Sequence, residues 1–213
     1  MPDASLLKAL PIGLLLFLLM YLSARRKRSG FRLAVEELPR LAERLGLTFR
    51  RGSTDGAIGK LSGDYHGYAV FVDPDERARV AFTWQTAIDV ELRSYERRGR
   101  PPKGFVSFRS GSTLVDDFFV SRYATQELAD GLTARAAELE RAVRPFRKAR
   151  SDGLKDLTVT SQGIECVFDF GKPVHLPASV VERTLEQLVA LAKVLEAAAG
   201  VDQGTERPAL IER

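Results

Sequence analysis

The sequence predicts an α+β fold: an N-terminal single transmembrane helix followed by a mainly antiparallel sheet covered by two long helices. Three observations lead there. An uncharged, Leu-rich run over residues 9–24 stops against four consecutive cations, Arg25, Arg26, Lys27 and Arg28. From Leu47 to about Tyr123, short apolar runs, several strictly alternating with polar residues, are separated by Gly- and Pro-containing breaks, the mark of half-buried strands. After Ala124 the period lengthens to that of a helix in two long stretches, which enclose one more strand pair. Strands gathered first and helices later segregate into the two layers of an α+β domain.

The uncharged run from Ala9 to Ala24 is 16 residues long and as a helix spans roughly 24 Å, against about 30 Å of hydrocarbon. Leu6 and Leu7 extend it if Lys8 snorkels to the interface. Pro11 falls near the start, where a missing N–H costs least. A cleaved secretion signal wants its charge before the apolar run and small residues at the cut, whereas here the charge follows and Leu22 occupies the "LSA" site. A core helix would be amphipathic, and this one is apolar all round. The run therefore reads as a single pass through the lipid bilayer by residues 9–24, with Arg25, Arg26, Lys27 and Arg28 at the membrane surface. The positive flank keeps to the cytoplasm, which puts the soluble domain there too. The organisation expected is an anchor and basic flank over 1–29, an α+β globular domain over 30–200 and a flexible tail over 201–213.

The charge balance narrows the function. Of 32 Lys and Arg and 28 Asp and Glu, five and one fall in the first 29 residues, which leaves 27 of each beyond them. The net +4 therefore belongs to the membrane flank. A nucleic-acid domain is basic in itself because phosphate neutralisation supplies its affinity, so no nucleic-acid partner is expected. With 45% apolar and 28% charged residues the chain has a globular composition. Cys166 is the only cysteine, which excludes an internal disulfide and a cysteine metal cage.

Along the domain, "LPRLAERLG" reads as a helix with Leu38, Leu41, Ala42 and Leu45 on one face and Gly46 as an αL stop. "LTFRRG" is extended, and in "AIGKLSGDYHGYAVFVDP" two strands flank a His66-Gly67 turn. "RARVAFTW" and "AIDVELRS" continue the sheet, with Ile88, Val90 and Leu92 inward and Asp89, Glu91 and Arg93 outward. After the loop Glu96 to Gly104, "FVSFRSG" and "DDFFVSRY" supply one or two more strands. One amphipathic helix then carries Leu128, Leu132, Ala136, Leu139 and Val143, capped by Thr125 and ending before Pro145. "LKDLTVTSQGIECVFDF" reads as a hairpin turning near Gln162-Gly163, and the last helix runs from about Pro177 to Ala199, stopped by Gly200. "LSGDYHGYAVFVD" and "LTVTSQGIECVFD" echo one another, which raises a duplicated helix-hairpin unit or two ordinary hairpins.

The chain offers few recognisable chemical motifs. "GSTDGAIGKLSG" approximates a phosphate-binding loop, but Thr54 and Leu61 stand where the motif needs Gly and Ser/Thr, and a strand follows rather than a helix. His66 and His175 lack a second ligand at helical spacing, and their expected roles are solvated or capping. Cys166 shares a strand face with Ile164, Phe168 and Phe170, the setting of an inert buried thiol. Asp116 and Asp117 are adjacent, so on a strand they face opposite ways, with one carboxylate expected on a backbone N–H or a nearby arginine. Trp84 and Phe118-Phe119 are expected in the core. The basic clusters Arg97, Arg98, Arg100, Lys103 and Arg141, Arg144, Arg147, Lys148, Arg150 read as solvated, the second favoured by a helix dipole; anionic lipid is their alternative partner. No cofactor and no metal are expected.

The combination "LAERLGLTF", "LSGDYHGYAVFV" and "LVDDFFVSRY", leading into a leucine-striped helix, a hairpin and a closing helix, resembles a loose set of uncharacterised bacterial membrane-anchored proteins with a small α+β domain. The likeness covers most of residues 39–198 and implies the architecture alone. The function expected is a membrane-tethered, cytoplasmic-facing interaction or scaffold module without catalytic activity, with a protein partner. The alternative is an enzyme whose site is assembled from dispersed polar residues, with Asp116, Asp117 and Cys166 as its candidates.

Overall fold

The structure, a computed structural model, describes residues 34–52, 57–75, 78–84, 86–95, 100–151, 153–169 and 175–201. The apolar run 9–24, Arg25 to Arg28, Phe170 and nearly all of the tail lie outside the described residues. Among the described residues no helix is long and apolar enough to cross a membrane.

The domain is α+β, with one antiparallel sheet and helices. Helix α1 covers residues 34–45. Strands β1 (Thr48–Arg51), β2 (Gly59–Tyr65), β3 (Tyr68–Asp73), β4 (Ala78–Thr83), β5 (Val90–Arg93) and β6 (Val106–Ser107) follow, then α2 (Thr113–Phe118), β7 (Ser121–Ala124), α3 (Gln126–Ala134) and α4 (Ala136–Ala149). Strands β8 (Leu154–Thr160) and β9 (Gly163–Phe168) precede α5 (Ala178–Ala198). The spatial order of the strands is β1-β2-β3-β4-β9-β8-β5-β7-β6.

Alternation in the strands sets the layers. Leu61, Val72, Val80, Cys166 and Leu157 lie in one row across β2, β3, β4, β9 and β8, and all are buried. The adjacent row, Ser62, Phe71, Ala81, Glu165 and Thr158, faces the other way and is partly or fully exposed. On the buried side α5 presents Val181, Leu185, Leu188, Ala192 and Leu195, and α4 presents Leu139, Val143 and Phe146. Trp84 is in the core as expected, its indole N–H donating to Thr160 O at 2.8 Å, and Phe118 and Phe119 are buried edge to face.

Two turns follow their sequence signals closely. Gly46 has φ +69°, and the N–H of Leu47 reaches Ala42 O at 2.8 Å, the six-to-one bond of a Schellman stop. His66 and Gly67 both have positive φ, 52° and 85°, as a two-residue type I′ hairpin turn requires.

Three expectations are corrected. "DDFFVSRY" is not one strand: Thr113–Phe118 is helical because the Ser112 hydroxyl accepts the Val115 N–H at 3.4 Å and Asp116 sits in the first turn, where the helix dipole favours a carboxylate. The two stretches do supply two more strands, the short β6 in "FVSFRSG" and β7 from the end of "DDFFVSRY". The single long helix after Thr125 is two helices that part at Arg135, Thr125 makes no side-chain cap, and α4 runs through Pro145 to Ala149. Buried Phe146 and Ala149 continue its apolar stripe, and that packing outweighs the lost backbone bond. In β5, Glu91 is buried along with Val90 and Leu92, since it pairs with Arg93 at 2.6 Å on an inner strand. The echoed hairpins β2-β3 and β8-β9 also have opposite hands: seen from the buried face with the first strand upward, β3 and β9 lie on opposite sides of their partners. Two ordinary hairpins account for them better than a duplicated unit.

Candidate functional site

The densest polar constellation in the described domain is built around α2. Ser110 is buried, and both its N–H and its hydroxyl reach the Asp116 carboxylate, at 3.0 and 2.9 Å. Arg122 on β7 lies beneath it: its Nε is 3.3 Å from Asp116 Oδ1 and donates to Phe108 O at 3.1 Å, while its Nη1 donates to Asp116 O at 2.6 Å and to Phe119 O. Ser112 caps α2 and donates its hydroxyl to Glu140 at 2.8 Å, which ties α2 to α4. That bond, with the pairing to Arg144 at 2.6 Å, holds the Glu140 carboxyl below its usual range. The Asp116 carboxylate thus has the partners expected of it, a backbone N–H and an arginine, though from a helix rather than a strand entry. Asp117 points away and is exposed, so the two carboxylates do not share a site.

The other residues singled out by the sequence are scattered. Cys166 is sealed in the core beside Ile164 and Phe168. Burial, and then the charge of Glu165, push its thiol well above the ordinary range. Native protein is therefore expected to resist maleimide and to react once denatured. The folded state keeps the thiol protonated while the unfolded chain ionises near pH 8.5, so this contribution to stability is complete below that pH and lost above it, by up to about 1.4 kcal/mol per pH unit. Urea unfolding at about pH 7 and pH 10 checks this, since the Cys166→Val protein lacks that component of the fall. Lys60 of the "GK" pair lies on β2 and its ammonium meets Asp73 at 2.9 Å. His66 sits in its turn against the Tyr65 ring, 4.5 Å between centroids. The His175 side chain is largely buried rather than solvated, with Nδ1 3.4 Å from Asp75 Oδ1. Among the described residues no group of three or more His, Cys, Asp or Glu is placed to hold a metal ion.

Ser110, Ser112, Arg122 and Glu140 carry no motif that marks them in the sequence. The available signal was Ser112-Thr113 ahead of Leu114-Val115 with an acidic residue in the next turn, a helix-start pattern.

At the C-terminal end of α4 a hollow of about 400 Å³ opens between Arg150, Gly153, Leu154, Lys155 and Asp169. The Arg150 guanidinium lies over the Phe118 ring at 4.9 Å, and Lys155 Nζ is 3.7 Å from Asp169. Arg141, Arg147 and Lys148 on α4 are exposed. Arg147 and Lys148 occupy the last turn, where the helix dipole favours cations.

No protein-family model matches the chain, and no curated protein does. Among solved structures it is similar to the crystal structure of the mycobacterial trehalose monomycolate transport factor A, TtfA, at 13% identity over 84% of this chain and 99% of that one. The TM-score is 0.41.

Proposed function

We propose that the chain is a membrane-tethered interaction module whose α+β domain works at the cytoplasmic surface and meets a protein partner there. The observation that carries this reading is the uncharged run 9–24 set against Arg25, Arg26, Lys27 and Arg28, in a chain that is otherwise charge-neutral. The domain adds support from the way it uses its reactive groups: Asp116 is committed to Ser110 and Arg122, and Cys166 is enclosed by the core. Residues 9–24 span the bilayer, and the four cations lie among anionic headgroups on the inner leaflet, each worth ~1 kcal/mol near that surface.

The test is fractionation with topology mapping. The chain stays with membranes after alkaline carbonate washing, and protease cuts the domain in inverted vesicles but not in right-side-out ones. Changing Arg25 to Arg28 to Gln yields a mixed orientation. Release by carbonate removes the anchor, and cleavage from the outer face reverses the orientation. A stoichiometric protein recovered with the detergent-extracted chain supports the module.

A further inference from the structure

We infer that the C-terminal half of α4, the start of β8 and the α2–β7 turn form a second membrane contact, a docking surface for anionic phospholipid. Residues 141–155 hold Arg141, Arg144, Arg147, Lys148, Arg150 and Lys155 against Asp152 alone, whereas the rest of the globular part beyond residue 29 carries 21 basic and 26 acidic side chains. The structure turns this stretch into a surface. Only Arg144 of the α4 cations has a carboxylate partner among the described residues. Arg147 and Lys148 are exposed within one turn of it, and the Arg150 guanidinium is held over Phe118 at the rim of the hollow.

Two residues beyond Phe118, Val120 is 54% exposed, the most exposed of the large apolar side chains in the described domain. Exposed cations on α4, with an exposed aliphatic side chain two residues from the ring under Arg150, are a composition that binds at the interface of an anionic bilayer, with charge meeting phosphate and the apolar group entering the acyl boundary. The hollow, with Arg150 and Lys155 on its walls, has room for one headgroup phosphate, and Lys155 can exchange its long 3.7 Å contact with Asp169 for it. This surface rests on the tether reading only for delivery to the bilayer; its own chemistry is independent of residues 9–24.

The test uses the full chain carrying Val120→Cys labelled with an environment-sensitive dye, reconstituted in phosphatidylcholine vesicles with or without phosphatidylglycerol. Buried Cys166 stays unlabelled. With phosphatidylglycerol the emission shifts to the blue and iodide quenching falls; without it neither changes. Each cation is worth about fivefold near an anionic surface, so R147Q/K148Q/R150Q lowers the docking equilibrium by ~100-fold, while R147K/R150K retains it. Raising salt to ~0.5 M undocks the unmutated α4 surface as well, a readout that holds even if the triple variant loses its unfolding transition. Equal emission in both vesicle types, or a folded triple variant that docks normally, overturns the proposal. A blue shift with inorganic phosphate in pure phosphatidylcholine makes the hollow a small-anion site and overturns the lipid assignment. Carbonate washing of the same vesicles reports the anchor separately: a chain that washes off yet shifts on phosphatidylglycerol retains this surface and loses the tether.

Discussion

Replacing Arg122 with alanine is expected to lower the unfolding free energy by about 2–4 kcal/mol. The side chain is only 17% exposed, and its guanidinium serves the carbonyls of Phe108, Asp116 and Phe119 together with the Asp116 carboxylate. Removing it leaves a carboxylate that is itself only 22% exposed facing three carbonyl oxygens with no cation between them. The cost is that of unpaired buried acceptors and an uncompensated charge, and not merely of one lost bond. Lysine does not rescue the site, because a single ammonium cannot reproduce a planar fork that reaches acceptors on β6's flank, on α2 and past its end. Asp116→Asn is expected to cost less, since an amide still accepts from Ser110. Urea titration of the three variants checks the order, Arg122→Ala and Arg122→Lys well below Asp116→Asn.

Where sequence and structure agree, the determinant is local. Gly46 and the His66-Gly67 pair sit at positive φ, a condition the backbone imposes within a few residues, and a glycine at that place announces it. The stripe of α5 repeats over 21 residues, long enough for its period to be unambiguous. The disagreements share a different cause. Phe118 and Phe119 look like strand residues by composition, but a six-residue helix needs little more than its Ser112 cap and two apolar contacts, and the packing of α2 on α4 supplies those from far along the chain. Pro145 reads as a stop because its local cost is visible and the compensating burial of Phe146 is not. Glu91 reads as outward because its neighbour on the inner strand, and the Arg93 that neutralises it, are settled by sheet order. For the same reason Asp116 was visible as a residue but not as the centre of a site. Its partners Ser110 and Arg122 become neighbours only when α2 folds over β7.

The largest single effect is expected at Gly163. It opens β9 opposite Thr83 on β4, and a Cβ placed there would stand 1.9 Å from Phe82 O. Phe82 O is backbone and the Cβ is fixed by the Gly163 backbone, both in paired strands, so no side chain can swing aside. Relief requires β4 and β9 to separate, and the hairpin turn is tied down on that side: Trp84 N–H donates to Gln162 O at 3.1 Å, and its indole N–H holds Thr160 O at 2.8 Å. Gly163→Ala must therefore break ladder bonds or displace Trp84 from the core, at a cost of about 3 kcal/mol or more. For a domain of this size that lowers the melting temperature by roughly 6–12 °C. Gly46 provides the control. It too has a positive φ, +69°, but nothing lies within 4 Å of its missing Cβ. Gly46→Ala meets only the left-handed conformation of its own backbone and is expected to cost about 1 kcal/mol. Thermal melts of the two variants distinguish close approach from conformational strain. If Gly163→Ala melted within a degree or two of Gly46→Ala, β4 and β9 could not be packed as tightly as their register requires, and the burial of the neighbouring Phe82–Ile164 pair would have to be reconsidered.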